Sequence, residues 1–469
     1  MASTITAPTY EPTSTAAALA EKSVTALDSK ITSQTTSTSA TAKALTSLSS
    51  AISAFQTSLA SLTGLGKSVL ASSATLSDTT VGSATAKSQA AAGTYSLFVQ
   101  QIATAGQVSY NNVTNAATPG GTLTVKLSDE TAGATGTPVT FDVDLSAAAD
   151  TDGDGKLSVR ELAAAINKAS GNNGQVSAGV VTIGNETRLV MTSKNTGVAN
   201  TISLDASGVS DATLQSSLGT RTIVTAAQDA VVLLGGKTGT PIKQSSNTFT
   251  NIDGVSLTVT RAQSSSENPI TLKVAGDSDG TAKNVQAFVD AYNKLKSSID
   301  ALLAPGDAKA GTAAGAFAHD SGVQSLQSQL VSILRPTGST SLAAYGIIAN
   351  RDGTLSLDTT RLNKQLNVDP DGLDKLLGSS SSSAPSGAAG ALNTYLNQWS
   401  NSTNGQLKSR TEANTKAQAA ITDLQAKRDQ QYNSAYDRYL KQFTDLQTLQ
   451  STMQTNLTML DALFGDDKK

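Results

Sequence analysis

The stretch 432–464, YNSAYDRYLKQFTDLQTLQSTMQTNLTMLDALF, places its large side chains at alternating steps of three and four residues. The register runs through Tyr432, Tyr436, Tyr439, Phe443, Leu446, Gln450, Met453, Leu457, Leu460 and Phe464. Such a spacing keeps these positions on one helical face, the seam that a coiled coil buries. The pattern predicts a long final helix, over about 406–464, that needs a partner along this seam.

A matching register lies near the other end, where 45–62 reads LTSLSSAISAFQTSLASL and Gly64 follows. It predicts a helix over about 21–63, with polar seam positions at Gln34, Thr38 and Thr41 that weaken a helix pair but fix its register. The predicted apolar seam consists of Leu45, Leu48, Ile52, Phe55, Leu59 and Leu62 in the first helix and Tyr439, Phe443, Leu446, Met453, Leu457 and Leu460 in the last. Both seams must be covered, either by each other or by another subunit, which points to assembly.

Composition narrows the possible functions of the 469 residues. The net charge is −3 without a long basic run, so we expect no nucleic-acid partner. No apolar stretch reaches the roughly 20 residues that span a bilayer, and no secretory signal peptide is recognisable. Cysteine is absent, which excludes disulfides and suits a protein exposed outside a bacterial cell.

The middle of the chain is rich in β-branched segments separated by Gly, Asn and Asp. Strands are predicted at 94–102, 121–128, 138–146, 175–183, 187–193, 254–262 and 269–276. Helical periodicity returns at 281–303 and 320–334, and Asp352-Gly353 predicts a hairpin turn. The predicted fold is α+β, with a coiled-coil stem formed by both chain ends and β-rich head domains nested between them.

This pattern predicts five regions. They are a disordered start (1–20), a terminal coiled-coil leg (21–45 and 430–469), a helical stem domain with a hairpin (46–88 and 280–429), a β-rich head domain (89–110 and 226–279) and a second β-rich head domain (111–225).

Residues 150–161, DTDGDGKLSVRE, match the calcium-binding loop of EF-hand proteins. The predicted ligands are Asp150, Asp152, Asp154, the Lys156 carbonyl, Ser158 and Glu161. A strand precedes the loop where an EF-hand has a helix, so we expect a strand–loop–helix site in which calcium has a structural role. The alternative is an acidic surface turn that binds nothing.

Enzyme signatures are lacking in the sequence. The segment SLTGLGKS (61–68) lacks the first glycine of a phosphate-binding loop, and the single histidine, His319, excludes His-based metal clusters. We therefore expect no enzymatic activity.

Several segments resemble the flagellar filament cap protein family, hook-associated protein 2 (FliD). They are AAAGTYSLFVQQIATAGQ (90–107), SSNTFTNIDGVSLTV (245–259) with NVQAFVDAYNKLKSSI (284–299), the hairpin-plus-helix segment 345–378, and the coil that begins at LKSRTEAN (407). They occur in the family's order. The Thr/Pro-rich start departs from the family's short apolar, glycine-containing one, and the calcium-type loop looks like an addition.

The resemblance implies a function without catalysis. It implies a ring of copies, commonly a pentamer, at the distal tip of the extracellular flagellar filament, below which flagellin subunits fold and insert without being lost. It also implies type III export with a cytoplasmic export chaperone, and contact with hook–filament junction proteins. The alternative hypothesis is a calcium-dependent, adhesin-like secreted protein on a coiled-coil stalk. Ring stoichiometry stays open, because closure depends on interface angles that the sequence does not show.

Overall fold

The computed structural model describes residues 11–464 except 89, 185, 308 and 336–340. The chain forms two units: one contains the residues up to Val69 and from Thr281 onward, and the other contains Leu70–Gly280. The second unit is therefore an insertion in the first. This organisation confirms the predicted α+β class with a β-rich part nested between helical ends.

The helices are α1 Pro12–Thr63, α2 Val159–Lys168, α3 Ala212–Leu218, α4 Ser278–Leu303, α5 Ser321–Ile333, α6 Thr359–Val368, α7 Gly372–Leu377, α8 Gly387–Ser400 and α9 Gln406–Phe464. The strands are β1 Ala71–Leu76, β2 Gly82–Ala86, β3 Gly93–Gln101, β4 Ala105–Tyr110, β5 Thr122–Ser128, β6 Val139–Asp144, β7 Val176–Ile183, β8 Glu186–Thr196, β9 Thr201–Asp205, β10 Arg221–Thr225, β11 Ala230–Leu234, β12 Thr240–Gln244, β13 Thr248–Phe249, β14 Val255–Val259, β15 Ile270–Asp277, β16 Ile347–Ala349 and β17 Leu355–Leu357. Within the described ranges, no helix has both the length and the apolar character that crossing a membrane requires.

The helical unit is dominated by α1 and α9, of 52 and 59 residues, which pack against each other. The first helix begins at Pro12 rather than at the predicted residue 21. Proline suits the first turn of a helix, and Ala16 and Ala20 are fully buried, so packing extends the helix beyond the periodic pattern. Residues 1–10, the rest of the predicted disordered start, lie outside the described residues.

The predicted helices at 281–303 and 320–334 are confirmed as α4 and α5. The predicted hairpin is confirmed as β16 and β17, which pair with Ile347 opposite Leu357. Its turn glycine, Gly353, has a φ of 79°, a conformation that favours glycine.

The inserted unit contains two separate hydrophobic cores. One lies with the sheet β1-β15-β3-β11-β12 and the small sheet β13-β14-β2. The other lies among the sheet β10-β4-β8-β7, the sheet β6-β5-β9 and helices α2 and α3. All the strand pairs in these sheets are antiparallel.

Two predicted boundaries differ from the structure. Residues 70–88 were predicted in the stem, but β1 pairs with β15 and β2 with β14 in the inserted unit. Their serine, threonine and alanine side chains give little strand signal, and these strands are fixed by partners 169 to 206 residues away in the sequence. Residues 105–110, predicted in the first head domain, form β4 and pair with β8 and β10 in the second.

Candidate functional site

Arg428 fixes the antiparallel register of the terminal helices. Its Nε donates to Asp28 Oδ1 at 2.9 Å, and Nη2 donates to the Glu21 carboxylate at 3.0 Å. The guanidinium also lies 5.3 Å from the ring centroid of Tyr432. The hydrogen bond to Asp28 and the nearby carboxylates raise the pKa of Arg428 above its usual range. The arginine is therefore a permanent cation that specifies which turns of the two helices meet.

The predicted seam residues of α1 are buried, but mainly by other helices than α9. Leu45, Leu48, Ile52, Phe55 and Leu59 are each at most 4% exposed, and Leu62 is half-buried. The Phe55 ring lies 6.4 Å from the rings of Phe288 and Tyr292 in α4. Gln56 donates to Asn393 in α8 at 3.0 Å. In the antiparallel register the start of α9 lies beside Leu45 and the residues just after it. The later seam residues of α1 are therefore covered by α4 and α8.

The C-terminal seam differs from the expectation of a continuous helix pair. Tyr439 and Phe443 are half-buried. The following seam residues are exposed within the described chain: Leu446 39%, Met453 57%, Leu457 55% and Leu460 50%. The reason is geometric, because α1 begins at Pro12 and leaves the last turns of α9 without an α1 partner. A regular apolar seam thus extends past the helix that covers its beginning.

The polar centre of the α1 seam is loosely packed. From residue 32 to residue 43, all of them described, no side chain is buried. Thr38 and Thr41 line a groove of about 580 Å³ beside Arg410 and Asn414 of α9. The Thr38 hydroxyl donates to the Gln34 carbonyl at 2.9 Å, a bond within the helix that does nothing for the pair. The centre of the helix pair therefore contributes little to holding α1 and α9 together.

Arg410, which no pattern in the sequence singles out, ties α9 to α5 and α8. Its Nη2 donates to Asp320 Oδ1 at 2.9 Å, and its guanidinium lies 5.4 Å from the Trp399 ring. The same arginine holds the pKa of Asp320 below its ordinary value, while Asp320 caps α5 through the Val323 N–H. An isolated arginine in a polar helix gives no periodic signal, so only the tertiary contact identifies it.

The acidic loop has the predicted strand–loop–helix frame, between β6 and α2. Asp150, Asp152 and Asp154 each place one carboxylate oxygen so that the three oxygens lie within 4.8 Å of one another, and the three residues are exposed. Asp150 accepts from the Gly153 N–H at 2.6 Å and Asp154 from the Lys156 N–H at 2.8 Å. The loop is therefore already folded around three converging carboxylates.

The electrostatics of Asp152 reflect this crowding. The Asp154 N–H lowers the pKa of Asp152, but desolvation and the carboxylates of Asp154, Glu161 and Asp150 outweigh that effect. The pKa of Asp152 consequently lies above its ordinary value. Like charges held this closely are the arrangement that a cation would relieve.

Glu161 closes the loop from the first turn of α2 and is 2% exposed. One oxygen accepts from the N–H and, at 2.8 Å, the hydroxyl of Thr151; the other accepts from the N–H of Ser158 at 2.9 Å and its hydroxyl at 2.8 Å. Ser158 also caps the helix by accepting from the Glu161 N–H, which completes a capping box. Glu161, the predicted ligand at the last position of the loop, therefore lies beside the loop with both oxygens engaged in these bonds.

These bonds make stability depend on pH through Glu161. The Thr151 N–H, followed by the Ser158 N–H, lowers the pKa of Glu161 to about 2. A carboxylate with a depressed pKa stabilises the fold above its unfolded pKa of about 4.3, and this contribution is lost as the pH falls towards 2. We expect Glu161→Gln to lower the melting temperature at pH 7 and to approach the wild type near pH 2. A pH-independent difference in melting temperature would contradict this.

Sequence models of the flagellar hook-associated protein 2 N-terminus and C-terminus match residues 10–106 and 227–455. A lateral flagellar hook-associated protein 2 of Vibrio parahaemolyticus is 33% identical over 386 residues, which cover 80% of this chain and 82% of that protein. A B-type flagellar hook-associated protein 2 of Pseudomonas aeruginosa is 31% identical over 238 residues, 46% of each chain.

The crystal structure of the D1–D2–D3 domains of the flagellar cap protein FliD from Escherichia coli superposes with a TM-score of 0.59 at 27% identity. The match covers 79% of this chain and 99% of that one. Paired terminal helices, with a β-rich unit inserted between them in the sequence, thus define a structural protein of the flagellar filament cap. The chain belongs to the flagellar hook-associated protein 2 family and is a cap protein located outside the cell at the filament's distal tip. The adhesin-like alternative is not favoured.

Proposed function

We propose that the protein assembles with copies of itself into a ring, below which flagellin subunits fold and insert. The copy number to test first is five. The observation that carries the proposal is the exposed seam of α9, from Leu446 to Leu460. Four large apolar side chains in coiled-coil register cost free energy in water, so they favour a protein partner. In this function the ring also prevents the loss of flagellin.

The proposed action is mechanical and non-enzymatic. The chain has no cysteine and a single histidine, His319, which is exposed. A leg that must grip and release is served by the unburied stretch 32–43 of α1, since a fully apolar seam would bind more tightly. Hook–filament junction proteins and a cytoplasmic export chaperone are the further proposed partners.

A deletion strain tests this function. Loss of the protein should abolish filaments while flagellin accumulates in the medium, and the full-length gene should restore filament growth. The native mass of the purified protein gives the number of copies in the ring. Intact filaments in the deletion strain, with only surface adhesion lost, would instead support the adhesin-like alternative.

We further propose that Ca²⁺ binds at Asp150, Asp152 and Asp154 as a structural ion. The support is the convergence of these carboxylates within 4.8 Å, together with a loop sequence that offers the Lys156 carbonyl and Ser158 as further oxygens. Calcium takes six to eight oxygen ligands, so Glu161 would join by exchanging its bonds to Thr151 and Ser158. The ion would tie the end of β6 to the start of α2.

Calcium titration of the full-length protein checks this proposal. With a dissociation constant of about 10⁻⁴–10⁻³ M, millimolar Ca²⁺ should raise the melting temperature by a few degrees, and a chelator should reverse the effect. Asp150→Asn combined with Asp154→Asn should remove the response. The matched control is Asp205→Asn, which should keep the response to Ca²⁺. Asp205 is an exposed aspartate at a turn of the same unit, and it accepts from the Ser207 N–H at 2.9 Å. A wild-type melting temperature that ignores Ca²⁺ would refute the site.

A further inference from the structure

Side-chain amides close the first half of the outer edge of β7. Asn172 donates to the Val176 carbonyl and accepts from its N–H, both at 2.8 Å. Asn167 does the same with Ala178, at 2.7 and 2.8 Å. An asparagine amide presents an NH2 donor and a carbonyl acceptor side by side, so each of these side chains occupies the place of a neighbouring strand. At Val176 and Ala178, β7 cannot pair with another chain.

The second half of the same edge is open. Outward-facing backbone groups alternate along an antiparallel strand, so the next ones after Ala178 belong to Val180 and Thr182. Within the described part of the chain, no hydrogen bond reaches these groups from the side away from β8. The neighbouring side chains of Val181 and Ile183 are 43% and 56% exposed. Val180–Ile183 contains no charge, proline or bulge, the usual protections of an edge strand.

The opposite edge of this sheet, β10, offers a complementary segment. The register places Ala178 opposite Met191, Met191 opposite Val108, and Val108 opposite Ile223. Along this row of opposed residues, hydrogen-bonded and non-hydrogen-bonded pairs alternate from one strand to the next. The N–H and C=O of Ile223 therefore point outward, and so do those of Arg221, two residues earlier. Ile223 and Val224 are 56% and 55% exposed, and the register shift after Ile223 limits the regular edge to the segment before it.

Strand direction makes the two edges compatible. The sheet has four antiparallel strands in the order β10-β4-β8-β7, so its two edge strands run in opposite directions. A second copy placed beside the first in the same orientation therefore presents its β10 antiparallel to β7. With Val180 opposite Ile223 and Thr182 opposite Arg221, all the outward groups pair, and the Val180 and Ile223 side chains meet on the core side of the sheet.

We propose that Val180–Ile183 of one copy pairs with Arg221–Ile223 of the next, so that the sheets of neighbouring copies join edge to edge. The inference rests on the proposed ring and names one of its contacts. The contact is heterologous, since each copy uses β7 on one side and β10 on the other, and such contacts generate rings when the rotation closes. The asparagine amides limit the register, because they leave only the end of β7 available.

A cysteine pair tests the contact, because the chain has no cysteine of its own. In the proposed register Val181 lies opposite Thr222 of the neighbouring copy as a non-hydrogen-bonded pair, with Cα atoms about 4.5 Å apart. Within one copy three strand spacings, about 14 Å, separate these residues, which is too far for a disulfide. Mild oxidation of V181C/T222C should therefore give a ladder of covalent oligomers that ends at the ring's copy number.

The matched control is S177C/T222C, because Ser177 is also exposed and lies on the same face of β7. It should give at least tenfold less cross-linked product, since Ser177 lies about 13 Å further along the strand. Native mass and circular dichroism show whether each variant keeps the wild-type ring and fold. A ring in solution with no ladder, or equal ladders from both variants, would overturn the edge contact but leave the proposed function standing. V181C alone forming dimers would show that β7 pairs with β7. A wild type that stays monomeric at all concentrations would overturn the ring and the edge contact together.

Discussion

Replacing Leu457 and Leu460 by aspartate should abolish filament elongation while leaving a single copy folded. Both side chains are at least 50% exposed, so they contribute little to the stability of one chain. In an assembled leg their burial would contribute about 1.5–3 kcal/mol each. Losing both should weaken the contact on the order of a hundredfold or more. Complementation of the deletion strain, scored by filament length and by flagellin in the medium, measures the effect.

Met459→Asp is the matched control for this prediction. Met459 is 60% exposed in the same turn of α9 but lies off the seam. Like either single substitution, Leu457→Asp or Leu460→Asp, it introduces one negative charge near the end of the helix, so in that comparison any effect on the helix dipole is shared. Filament growth should stay near the wild-type level with Met459→Asp, and melting temperatures should be alike for all variants. Equal loss of growth in the control would mean that charge, and not the seam, limits elongation.

Phe55→Ala should destabilise the helical unit by about 3–5 kcal/mol. Phe55 is 2% exposed and lies 6.4 Å from both Phe288 and Tyr292, so truncation leaves a cavity where α1 meets α4. The single tryptophan, Trp399, is 5% exposed in the same unit. Its fluorescence during denaturant unfolding therefore follows the helical unit separately from the inserted one.

The control substitution is Phe55→Leu, which retains most of the volume and should cost less than about 1.5 kcal/mol. Calorimetry of the alanine variant should show a lowered transition for the helical unit and an unchanged one for the inserted unit, whose cores lie elsewhere in the chain. A uniform shift of all transitions would show that the two units unfold together.

The sequence predicted the elements whose signal is local. The three–four spacing located α9, because a long helix repeats its pattern many times. The strands β3, β5, β7 and β15 followed from β-branched runs between turn residues. By contrast, β1 consists of Ala71–Leu76, ASSATL, and is a strand because β15 pairs with it. Pairing over such distances leaves no mark on the residues themselves.

The candidate sites show the same division. Short-range spacing was enough to predict the acidic loop and the strand–loop–helix frame in which it lies. The end of the α1–α9 contact was not predictable, because it depends on the register that Arg428 sets with residues 400 positions earlier. The same holds for Asn167 and Asn172, whose role depends on lying next to the edge of β7.

The hydrogen bond between Arg428 and Asp28 spans 400 residues of chain. Serine and threonine are frequent in α1 and are poor helix formers, and a lone helix gains little stability without packing. During synthesis α1 therefore emerges long before its partner exists. The helical unit is completed only when α9, a helix of 59 residues, is free to fold back onto α1. The α1–α9 pair can therefore form only when the end of the chain is present.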